Sequence, residues 1–317
     1  MKEKISIVVP CYNEQDTLRR LVQEIEKLRT ALGACIIELI FVNDGSVDHT
    51  LSVMKELSEE DQNISYISFS RNFGKEAAMY AGLCNAQGDY VAVMDADLQD
   101  PPELLLQMYD ALKTGNYDCA AARRTDRKGE PPIRSWFARR FYRLLTRISD
   151  MELLDGVRDY RLMRRSMVDV IIKMHEYNRF SKGIFEWVGF QKCWIEYENT
   201  TRNSGNSKWN FWGLTRYAID GIVNFSEVPL SIASWLGLFM TSVSFLAVVF
   251  IVIRKLLMGD PVAGWASTAS IIVFIGGLQL FCLGIMGKYL AKVYMETKKR
   301  PHFIVAESNI ENIKNVG

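Results

Sequence analysis

Two long uncharged stretches constrain the fold of this chain more than any other feature. Residues 228–253 form a run of 26 without Asp, Glu, Lys or Arg, and residues 261–287 form another of 27. A helix needs about 20 apolar residues to cross the hydrocarbon core of a bilayer. The sequence therefore predicts a hairpin of two transmembrane helices over residues 228–290. The alternative is a pair of buried core helices, although such helices seldom run this long without a polar stripe.

The charges around these stretches predict a topology. Lys288, Lys292 and a basic cluster at residues 298–300 follow the second stretch, whereas the connector at 254–260 holds two basic residues and one acidic residue. Because cytoplasmic flanks carry the excess of Lys and Arg, both ends of the hairpin are expected in the cytoplasm, including a tail over residues 291–317. No secretory signal precedes the first predicted strand. We therefore expect a multi-pass protein of the cell membrane whose N-terminal domain and termini are cytoplasmic.

Composition excludes several classes of protein. A length of 317 residues predicts about two structural units. Lys and Arg total 38 against 37 for Asp and Glu, which argues against a globally basic nucleic-acid binder and against an acidic disordered chain. The six cysteines form no CxxC pair and the three histidines lack metal-ligand spacing, so a zinc ribbon, a disulfide framework and a Ser-His triad are not expected. Any bound metal is expected to have oxygen ligands.

The first 125 residues alternate between short apolar runs and helical stretches. The runs predicted as strands are residues 5–9, 36–42, 64–69, 90–94 and 119–122. The stretches predicted as helices are residues 15–32, 47–57, 75–85 and 102–112. This order predicts a mostly parallel α/β sheet flanked by helices. Ligands of such sheets bind beyond the carboxyl ends of the strands, so the residues after each strand are the candidates for a functional site.

An acidic run follows the fourth predicted strand. Asp95, Asp97 and Gln99 are spaced i, i+2, i+4, which in an extended chain puts three oxygen ligands on one side. Such ligands suit Mg²⁺ or Mn²⁺ bridging a diphosphate. The alternative is an acidic loop that caps the helix beginning near Pro102.

Polar turns follow the first two predicted strands. Glu14 and Asp44 offer acceptors to a base or a ribose, and the ring of Tyr12 can stack on a base. Asn, Asp, Gly and Ser also dominate ordinary turns and helix caps, so a purely structural role is the alternative.

A basic amphipathic segment lies beyond the predicted sheet. Residues 131–149 contain five arginines and no acid, and the apolar residues between them share one helical face. This pattern predicts an interfacial helix over residues 131–150, in which each basic residue near an anionic leaflet contributes about 1 kcal/mol. The alternative is a helix packed on the sheet with a solvated arginine edge. A second, juxtamembrane helix is predicted over residues 211–227, where aromatic residues cluster.

Six motifs, in order, resemble those of the inverting GT-A glycosyltransferases of family 2. They are VVPCYNE at 8–14, FVNDGS at 41–46, SRNFGK at 70–75, DADLQDPPE at 95–103, GVRDYRL at 156–162 and RFSKG at 179–183. Within the family, the chain is similar to the polyprenyl-phosphate glycosyltransferases, which include bactoprenol glucosyltransferases and dolichol-phosphate mannose synthase. The resemblance spans about residues 4–210, and the two apolar stretches resemble the membrane-anchored bactoprenol branch. Asn43 stands where the family commonly has Asp, which removes one negative charge.

The resemblance implies a GT-A catalytic domain over residues 1–210 and roles for single residues. The donor nucleotide is expected to contact Pro10, Tyr12, Glu14, Val42, Asp44, Asp95, Ala96 and Asp97. The expected ligands of Mg²⁺ or Mn²⁺ are Asp95, Asp97 and Gln99. The expected catalytic residues are Asp97, Asp159, Arg202 and Lys208.

Cations are expected around both substrates. Arg202 and Lys208 flank a Gly, Ser and Asn-rich stretch suited to a lid over the donor phosphates, with a plain polar linker as the alternative. Arg123 and Arg134 are candidates to clamp the acceptor phosphate in bidentate fashion. Asp159 either orients an arginine, faces the sugar, acts as a base or forms an internal salt bridge.

The implied reaction transfers a sugar from a nucleotide sugar to a polyprenyl phosphate with inversion. Glucose from UDP-glucose and undecaprenyl phosphate are the first candidates, giving a lipid-linked sugar for cell-envelope or O-antigen modification. A phosphate with a second pKa of about 6 is largely dianionic at neutral pH and needs no strong base. The expected partners are the donor, the lipid acceptor, the membrane and further copies of the chain, since similar proteins form tetramers.

Two other classes of protein compete with this interpretation. A processive polysaccharide synthase shares the sheet and the acidic motif, but it carries a Gln-x-x-Arg-Trp motif and more spans, and this sequence has neither. A non-catalytic membrane scaffold that only binds nucleotide is the second. The complete set of expected donor and metal residues argues against it.

Overall fold

The structure, a computed structural model, describes residues 2–125, 156–197, 228–258 and 264–314. The chain divides into two units, one comprising Met1–Asn210 with Lys299–Gly317 and the other Phe211–Lys298. The first is an α/β unit, and the second contains two long helices. The helices predicted over residues 131–150 and 211–227 lie outside the described residues.

The described part of the α/β unit contains eight strands and six helices. The strands are β1 Lys4–Cys11, β2 Ile36–Asn43, β3 Ile64–Phe69, β4 Tyr90–Val93, β5 Cys119–Arg124, β6 Val157–Arg164, β7 Lys192–Tyr197 and β8 Val305–Ser308. The helices are α1 Leu18–Ala31, α2 Thr50–Glu60, α3 Lys75–Asn85, α4 Leu104–Thr114, α5 Arg165–Ile171 and α6 Ser181–Trp187.

All eight strands form one mixed sheet in the order β7-β5-β6-β4-β1-β2-β3-β8. Strands β4, β1, β2 and β3 are mutually parallel, and β5 is parallel to β7. Strand β6 runs antiparallel between β4 and β5, and β8 runs antiparallel at the edge beside β3. The predicted fold class, a mostly parallel α/β sheet flanked by helices, is confirmed, whereas β6, β7 and β8 were not predicted.

Helices cover both faces of the sheet because each presents apolar residues at helical spacing. Helix α1 buries Leu18, Leu21, Ile25 and Leu28 against one face. Helix α3 packs on the other face and is buried along nearly its whole length. A Cβ at Gly82 would lie 2.1 Å from Val8 Cγ1, so only glycine lets α3 approach β1 this closely. This close packing fixes the start of α3 beside the carboxyl end of β1.

Helices α1 and α2 begin three residues later than predicted. Side chains in the preceding loops bond to the backbone there and delay the helix in each case. Asp48 Oδ1 accepts a hydrogen bond from Thr50 N at 3.0 Å, and Thr17 Oγ1 donates to Glu14 O at 3.0 Å. Both loops therefore remain outside the helices, at the carboxyl ends of β1 and β2.

The second unit contains α7, Val228–Met258, and α8, Trp265–Thr297. Within them, Val228–Ala247 and Phe274–Thr297 are long and apolar enough to cross a membrane, with mean hydropathy 1.7 and 1.4. Almost none of the residues in these two windows is buried in the protein, unlike the core helix of a soluble domain. The two predicted apolar helices are thus present; their crossing of a membrane stays a prediction.

The C-terminal segment, predicted as a tail, returns to the α/β unit. Strand β8 pairs with β3 through Ile67↔Ser308, Ser68↔Glu307 and Phe69↔Val305. Covering a sheet edge prevents it from pairing with other chains. The segment after α8 is therefore part of the folded domain.

Candidate active site

A cavity of about 370 Å³ lies at the carboxyl ends of β1, β2 and β4, next to the start of α3. It is lined by Pro10, Cys11, Tyr12, Glu14, Asp44, Asn72, Gly74, Lys75, Asp95, Ala96 and Asp97. Parallel strands end at the same edge of a sheet, which is why residues far apart in sequence meet here. Seven of the eight residues expected at the donor line this cavity. The eighth, Val42, is fully buried within β2.

The loop after β1 presents Tyr12 and Glu14. Asn13 adopts φ 57°, and its backbone N donates to Ser46 Oγ at 3.0 Å while its Oδ1 accepts from Val47 N at 3.0 Å. These two bonds tie the loops after β1 and β2 together. Tyr12 is 47% exposed and lines the cavity, so its side chain is accessible to a ligand there. Burial, with the charges of Asp97 and Asp95, raises the pKa of Glu14.

Asn43 has a structural role that its amide explains. Its side chain is buried, with Nδ2 donating to Ser68 Oγ at 2.9 Å and Oδ1 accepting from Ser46 N at 3.0 Å. A carboxylate could not donate the first of these bonds. Asparagine therefore suits this position in this chain, and the charge that it lacks is not needed to hold the turn.

Asp44 holds the loop between β3 and α3. Its Oδ1 accepts from Phe73 N at 2.7 Å, and both carboxylate oxygens accept from Gly74 N at 3.1 and 3.0 Å. Gly45 packs against the same loop, where a Cβ would lie 2.4 Å from the backbone of Arg71. Burial raises the pKa of Asp44 although these hydrogen bonds oppose it. Asp44 lines the cavity and also fixes the loop that supplies Lys75.

Lys75, which lines the cavity, joins two carboxylates. Its Nζ lies 2.6 Å from Asp95 Oδ1 and 2.7 Å from Asp159 Oδ2. The antiparallel pairing of Tyr90 with Arg164 and of Val93 with Arg161 in β4 and β6, continued by two residues, sets Asp159 opposite Asp95. The structure thus brings Asp159 beside the acidic motif, in an internal salt bridge with Lys75, although Asp159 itself does not line the cavity.

The charges around Asp159 fix its protonation state. Burial raises its pKa, but the charges of Lys182 and Lys75 outweigh this and hold the pKa of Asp159 well below its ordinary value. Burial and the charge of Asp159 raise the pKa of Asp95 against the pull of Lys75. A general base works best with a pKa near the operating pH. Asp159 is therefore suited to an electrostatic or positioning role and not to proton abstraction.

Asp95 and Asp97 fit a divalent cation only with help from a substrate. Asp97 is exposed, and its Oδ1 accepts from Gln99 N at 3.1 Å; Gln99 itself does not line the cavity. Among the described residues, no three His, Cys, Asp or Glu side chains are grouped to hold a metal. Mg²⁺ is commonly bound through one or two carboxylates together with phosphate oxygens and water. This donor set fits such a cation bound with a diphosphate.

Asp100, in the same acidic motif, has a structural role. It is 4% exposed, and it accepts hydrogen bonds from Arg158 Nε at 3.0 Å and from the hydroxyl of Tyr197. Asp100 thus ties the motif to β6 and β7.

Replacing Asp100 by alanine should destabilise the domain. The change leaves the Arg158 guanidinium without its carboxylate, so we expect the free energy of unfolding to fall by about 3–5 kcal/mol. Glu103→Ala, at an exposed position of the same motif, is the matched control and should change it by less than about 0.5 kcal/mol. Urea unfolding of the purified protein measures both. Equal unfolding midpoints for the two variants would contradict the structural role of Asp100.

Of the expected cations, only Arg123 lies among the described residues. It is at the carboxyl end of β5, with its Nη1 3.2 Å from Glu196 Oε1. Arg134, Arg202 and Lys208 fall outside the described residues, so their roles stay predictions.

Sequence reasoning missed Lys75 and Lys182 as site residues. Lys75 is the first residue of α3, where the helix dipole disfavours a cation. A lysine at such a position is itself a signal that a carboxylate lies nearby. Arg161, also missed, is fully buried on β6 with its guanidinium 3.8 Å above the ring of Phe185.

A mixed sheet of this order, with paired carboxylates and a cavity at its strand ends, defines the GT-A class of glycosyltransferases. The sequence model of Glycosyl transferase family 2 matches residues 6–172, and the chain belongs to that family. It is 39% identical over 305 residues to the bactoprenol glucosyl transferase of Shigella phage SfX, covering 95% of this chain and 98% of the relative. The prophage bactoprenol glucosyl transferase homolog of Escherichia coli K12 is 38% identical, with the same coverages. The protein is thus a glycosyltransferase.

Solved structures with a similar fold include two synthases. Glucosyl-3-phosphoglycerate synthase from Mycobacterium tuberculosis, in complex with Mn²⁺, UDP and phosphoglyceric acid, has a TM-score of 0.47 and 18% identity, covering 70% of this chain and 76% of that one. Mannosyl-3-phosphoglycerate synthase from Rubrobacter xylanophilus also has a TM-score of 0.47 and 18% identity, with coverages of 69% and 72%.

Proposed function

We propose that this protein is a membrane-bound inverting glycosyltransferase that moves a sugar from a nucleotide sugar to a polyprenyl phosphate. Glucose, UDP-glucose and undecaprenyl phosphate are the first candidates, and the product is a lipid-linked sugar for cell-envelope or O-antigen modification. The observation that carries the proposal is the cavity lined by Asp95, Asp97 and Lys75, in which Lys75 pairs with Asp95 and with Asp159 behind it. Relatives named bactoprenol glucosyl transferase, matched over nearly the whole chain, support the sugar and the acceptor.

The cavity suits a nucleotide donor. Its volume of about 370 Å³ falls in the range of about 300–1,000 Å³ typical of small-molecule sites. Tyr12 offers a ring face, and Glu14 and Asp44 offer acceptors on the side of the cavity formed by β1 and β2. Asp95 and Asp97, after β4, then lie where a diphosphate would follow. The sugar is proposed to follow on the side of Lys75, whose ammonium group pairs with Asp159.

The acidic pair needs positive charge before an anionic donor can bind. Asp95 and Asp97 would hold Mg²⁺ or Mn²⁺, which supplies charge neutralisation to the departing diphosphate. Lys75 fixes the carboxylates of Asp95 and Asp159 relative to each other. Arg202 and Lys208 are proposed to cover the donor phosphates from the lid side.

The acceptor phosphate supplies its own nucleophile. An oxygen of the dianion attacks the anomeric carbon from the face opposite the leaving diphosphate, the glycosidic bond breaks, and the nucleoside diphosphate carries away the bonding electrons. No proton must be removed from this nucleophile, which agrees with the lowered pKa of Asp159. Arg123 is proposed to exchange its partner Glu196 for the acceptor phosphate, at little cost because surface ion pairs are weak. Arg134 is proposed as the second arm of this clamp.

The pH profile should follow the acceptor and not a protein base. We expect kcat/KM for the acceptor to fall below about pH 6, where the phosphate becomes a monoanion. A phosphonate acceptor has a higher second pKa than the phosphate. Its acid limb should therefore move to higher pH by the difference between these two pKa values. Initial rates between pH 5 and 8 measure both acid limbs, because this range spans the phosphate's second pKa of about 6. An acid limb at the same pH for both acceptors would point instead to a group on the enzyme.

The chain connectivity supports the proposed topology. Strand β8, after the hairpin, pairs with β3, before it, so the chain segments on either side of the hairpin belong to one folded unit. We infer that both segments lie on the same side of any membrane that the hairpin crosses. The basic flank of α8 favours the cytoplasm, where nucleotide sugars are made.

We also expect the protein to form a tetramer. Light scattering of the solubilised protein measures its molar mass and so tests this expectation.

A donor screen tests the proposal. The purified full chain is incubated with undecaprenyl phosphate, Mg²⁺ and radiolabelled UDP-glucose, UDP-N-acetylglucosamine or GDP-mannose, and the products are extracted with butanol. We expect labelled lipid from one donor, UDP-glucose first, and only when the acceptor is present. A nucleotide-binding scaffold would give no labelled lipid, and a polysaccharide synthase would give label in insoluble polymer.

A further inference from the structure

The segment after α8 reaches beyond the sheet edge to the loop between β3 and α3. Ser70 is the first residue of that loop, and its backbone N donates a hydrogen bond to Ile304 O at 2.9 Å. Glu307, further along the segment, pairs instead with Lys55 on α2, at 2.7 Å. One end of the segment therefore contacts the loop, and the other contacts a helix away from it.

Phe303 is the buried anchor at the loop end of the segment. It is 4% exposed, and its ring stacks on Phe69 with centroids 4.9 Å apart and planes at 13°. Phe69 in turn meets Phe73 edge-on at 5.8 Å. The guanidinium of Arg71 covers the ring of Phe73 at 4.0 Å. A continuous aromatic contact thus runs from the C-terminal segment into the loop.

The same loop forms one wall of the cavity. The backbone N of Phe73 and of Gly74 both donate to Asp44, and Lys75 follows directly. Asn72, Gly74 and Lys75 all line the cavity. A shift of Phe73 would therefore move the bonds to Asp44 and the ammonium group that joins Asp95 to Asp159. Phe303 also belongs to the hydrophobic core on this face of the sheet, so the core and the cavity wall share this residue.

We propose that Phe303 is a positioning residue of the donor site. Through Phe69 and Phe73 it holds the loop at residues 70–75 in the conformation that binds the donor. The donor in this inference is the nucleotide sugar of the proposed function, on which the inference rests. Phe303 touches no substrate, so its loss should weaken donor binding and leave the chemical step unchanged.

The test compares Phe303→Leu with Glu307→Gln in the full-length protein. Leucine keeps an apolar side chain but removes the ring stacking, whereas Glu307→Gln removes the ion pair to Lys55 at the other end of the same C-terminal segment. For Phe303→Leu we expect the donor KM to rise about three- to tenfold, the range that an aromatic pair supports, with kcat at saturating donor within about twofold of wild type. Glu307→Gln should leave both constants unchanged.

Amide hydrogen exchange provides a readout that needs no substrate. Phe303→Leu should speed exchange of the Phe73 and Gly74 amides, which donate to Asp44, and Glu307→Gln should not. Equal effects of the two variants, or an unchanged donor KM with unchanged exchange in Phe303→Leu, would overturn the inference. A wild-type protein that transfers no sugar contradicts the proposed function instead, and the exchange data still decide whether Phe303 holds the loop.

Discussion

Replacement of Asp97 by alanine is expected to lower the rate of sugar transfer sharply while leaving the fold intact. Asp97 is exposed at the cavity, so its removal costs little packing. In the proposed mechanism its carboxylate helps to neutralise the departing diphosphate. Loss of one such electrostatic contribution typically lowers kcat by about 10²–10³-fold. The measurement is the initial rate of labelled lipid formation at saturating donor and acceptor.

Glu103→Ala is the matched control for this substitution. Glu103 is an exposed acid in the same motif, but it does not line the cavity. Its transfer rate should remain within about twofold of wild type, as expected for a surface change. A wild-type rate in Asp97→Ala would remove the diphosphate-neutralising role of this motif, whatever the control shows.

Replacement of Lys75 by methionine should have a comparably large effect. The change keeps the length of the side chain and removes the charge that joins Asp95 and Asp159. Two carboxylates then face each other without the ammonium group between them, so they repel and move apart. We expect kcat/KM for the donor to fall by about 10²-fold or more, as for other losses of a preorganised charge.

Two variants control for Lys75→Met. Lys75→Arg keeps a positive charge and should recover part of the rate. Lys113→Met removes a lysine that pairs with Glu3 on the surface, 2.8 Å away and outside the cavity, and should leave the rate unchanged. If Lys75→Met were as active as Lys113→Met, the ion-paired triad would have no part in transfer.

The central part of the fold follows from local patterns in the sequence. Alternating apolar runs and amphipathic stretches predict β1–β5 and α1–α4, because burial against a sheet requires these periods. Parallel order then puts the residues after β1, β2 and β4 at one edge. That is sufficient to bring Tyr12, Asp44 and Asp97 to one cavity without knowledge of any long-range contact.

The rest of the site depends on pairing between distant segments. Strand β6 has the sequence VRDYRLMR, and its four charged residues do not fit the pattern of a buried strand. Arg161 is nevertheless buried, with its guanidinium over an aromatic ring. Its antiparallel insertion beside β4 brings Asp159 to Asp95, and no local pattern encodes that register. Lys75 becomes a site residue only once both carboxylates are in place.

The C-terminal strand shows the same limit. Residues 305–308 are a short segment after a long apolar helix, and nothing in their own sequence indicates a partner strand far earlier in the chain. Just beyond them, Asn309 accepts a hydrogen bond from the backbone of Tyr66, which is 243 residues away. Only the folded sheet shows that its edge beside β3 is filled by this strand. The role of Phe303 could therefore not be predicted from the sequence.

The chemical structure of the lipid product shows whether this protein transfers one sugar to a lipid phosphate with inversion. The purified protein is supplied with UDP-glucose, undecaprenyl phosphate and Mg²⁺, and the lipid product is examined by mass spectrometry and NMR. We expect one hexose joined to the lipid phosphate through a phosphodiester, in the β configuration, inverted from the α-linked donor. Free glucose, a polymer or an α-linked product would contradict inverting transfer to a lipid phosphate. So would lipid that stays unreacted with UDP-glucose and with each of the other nucleotide sugars of the donor screen.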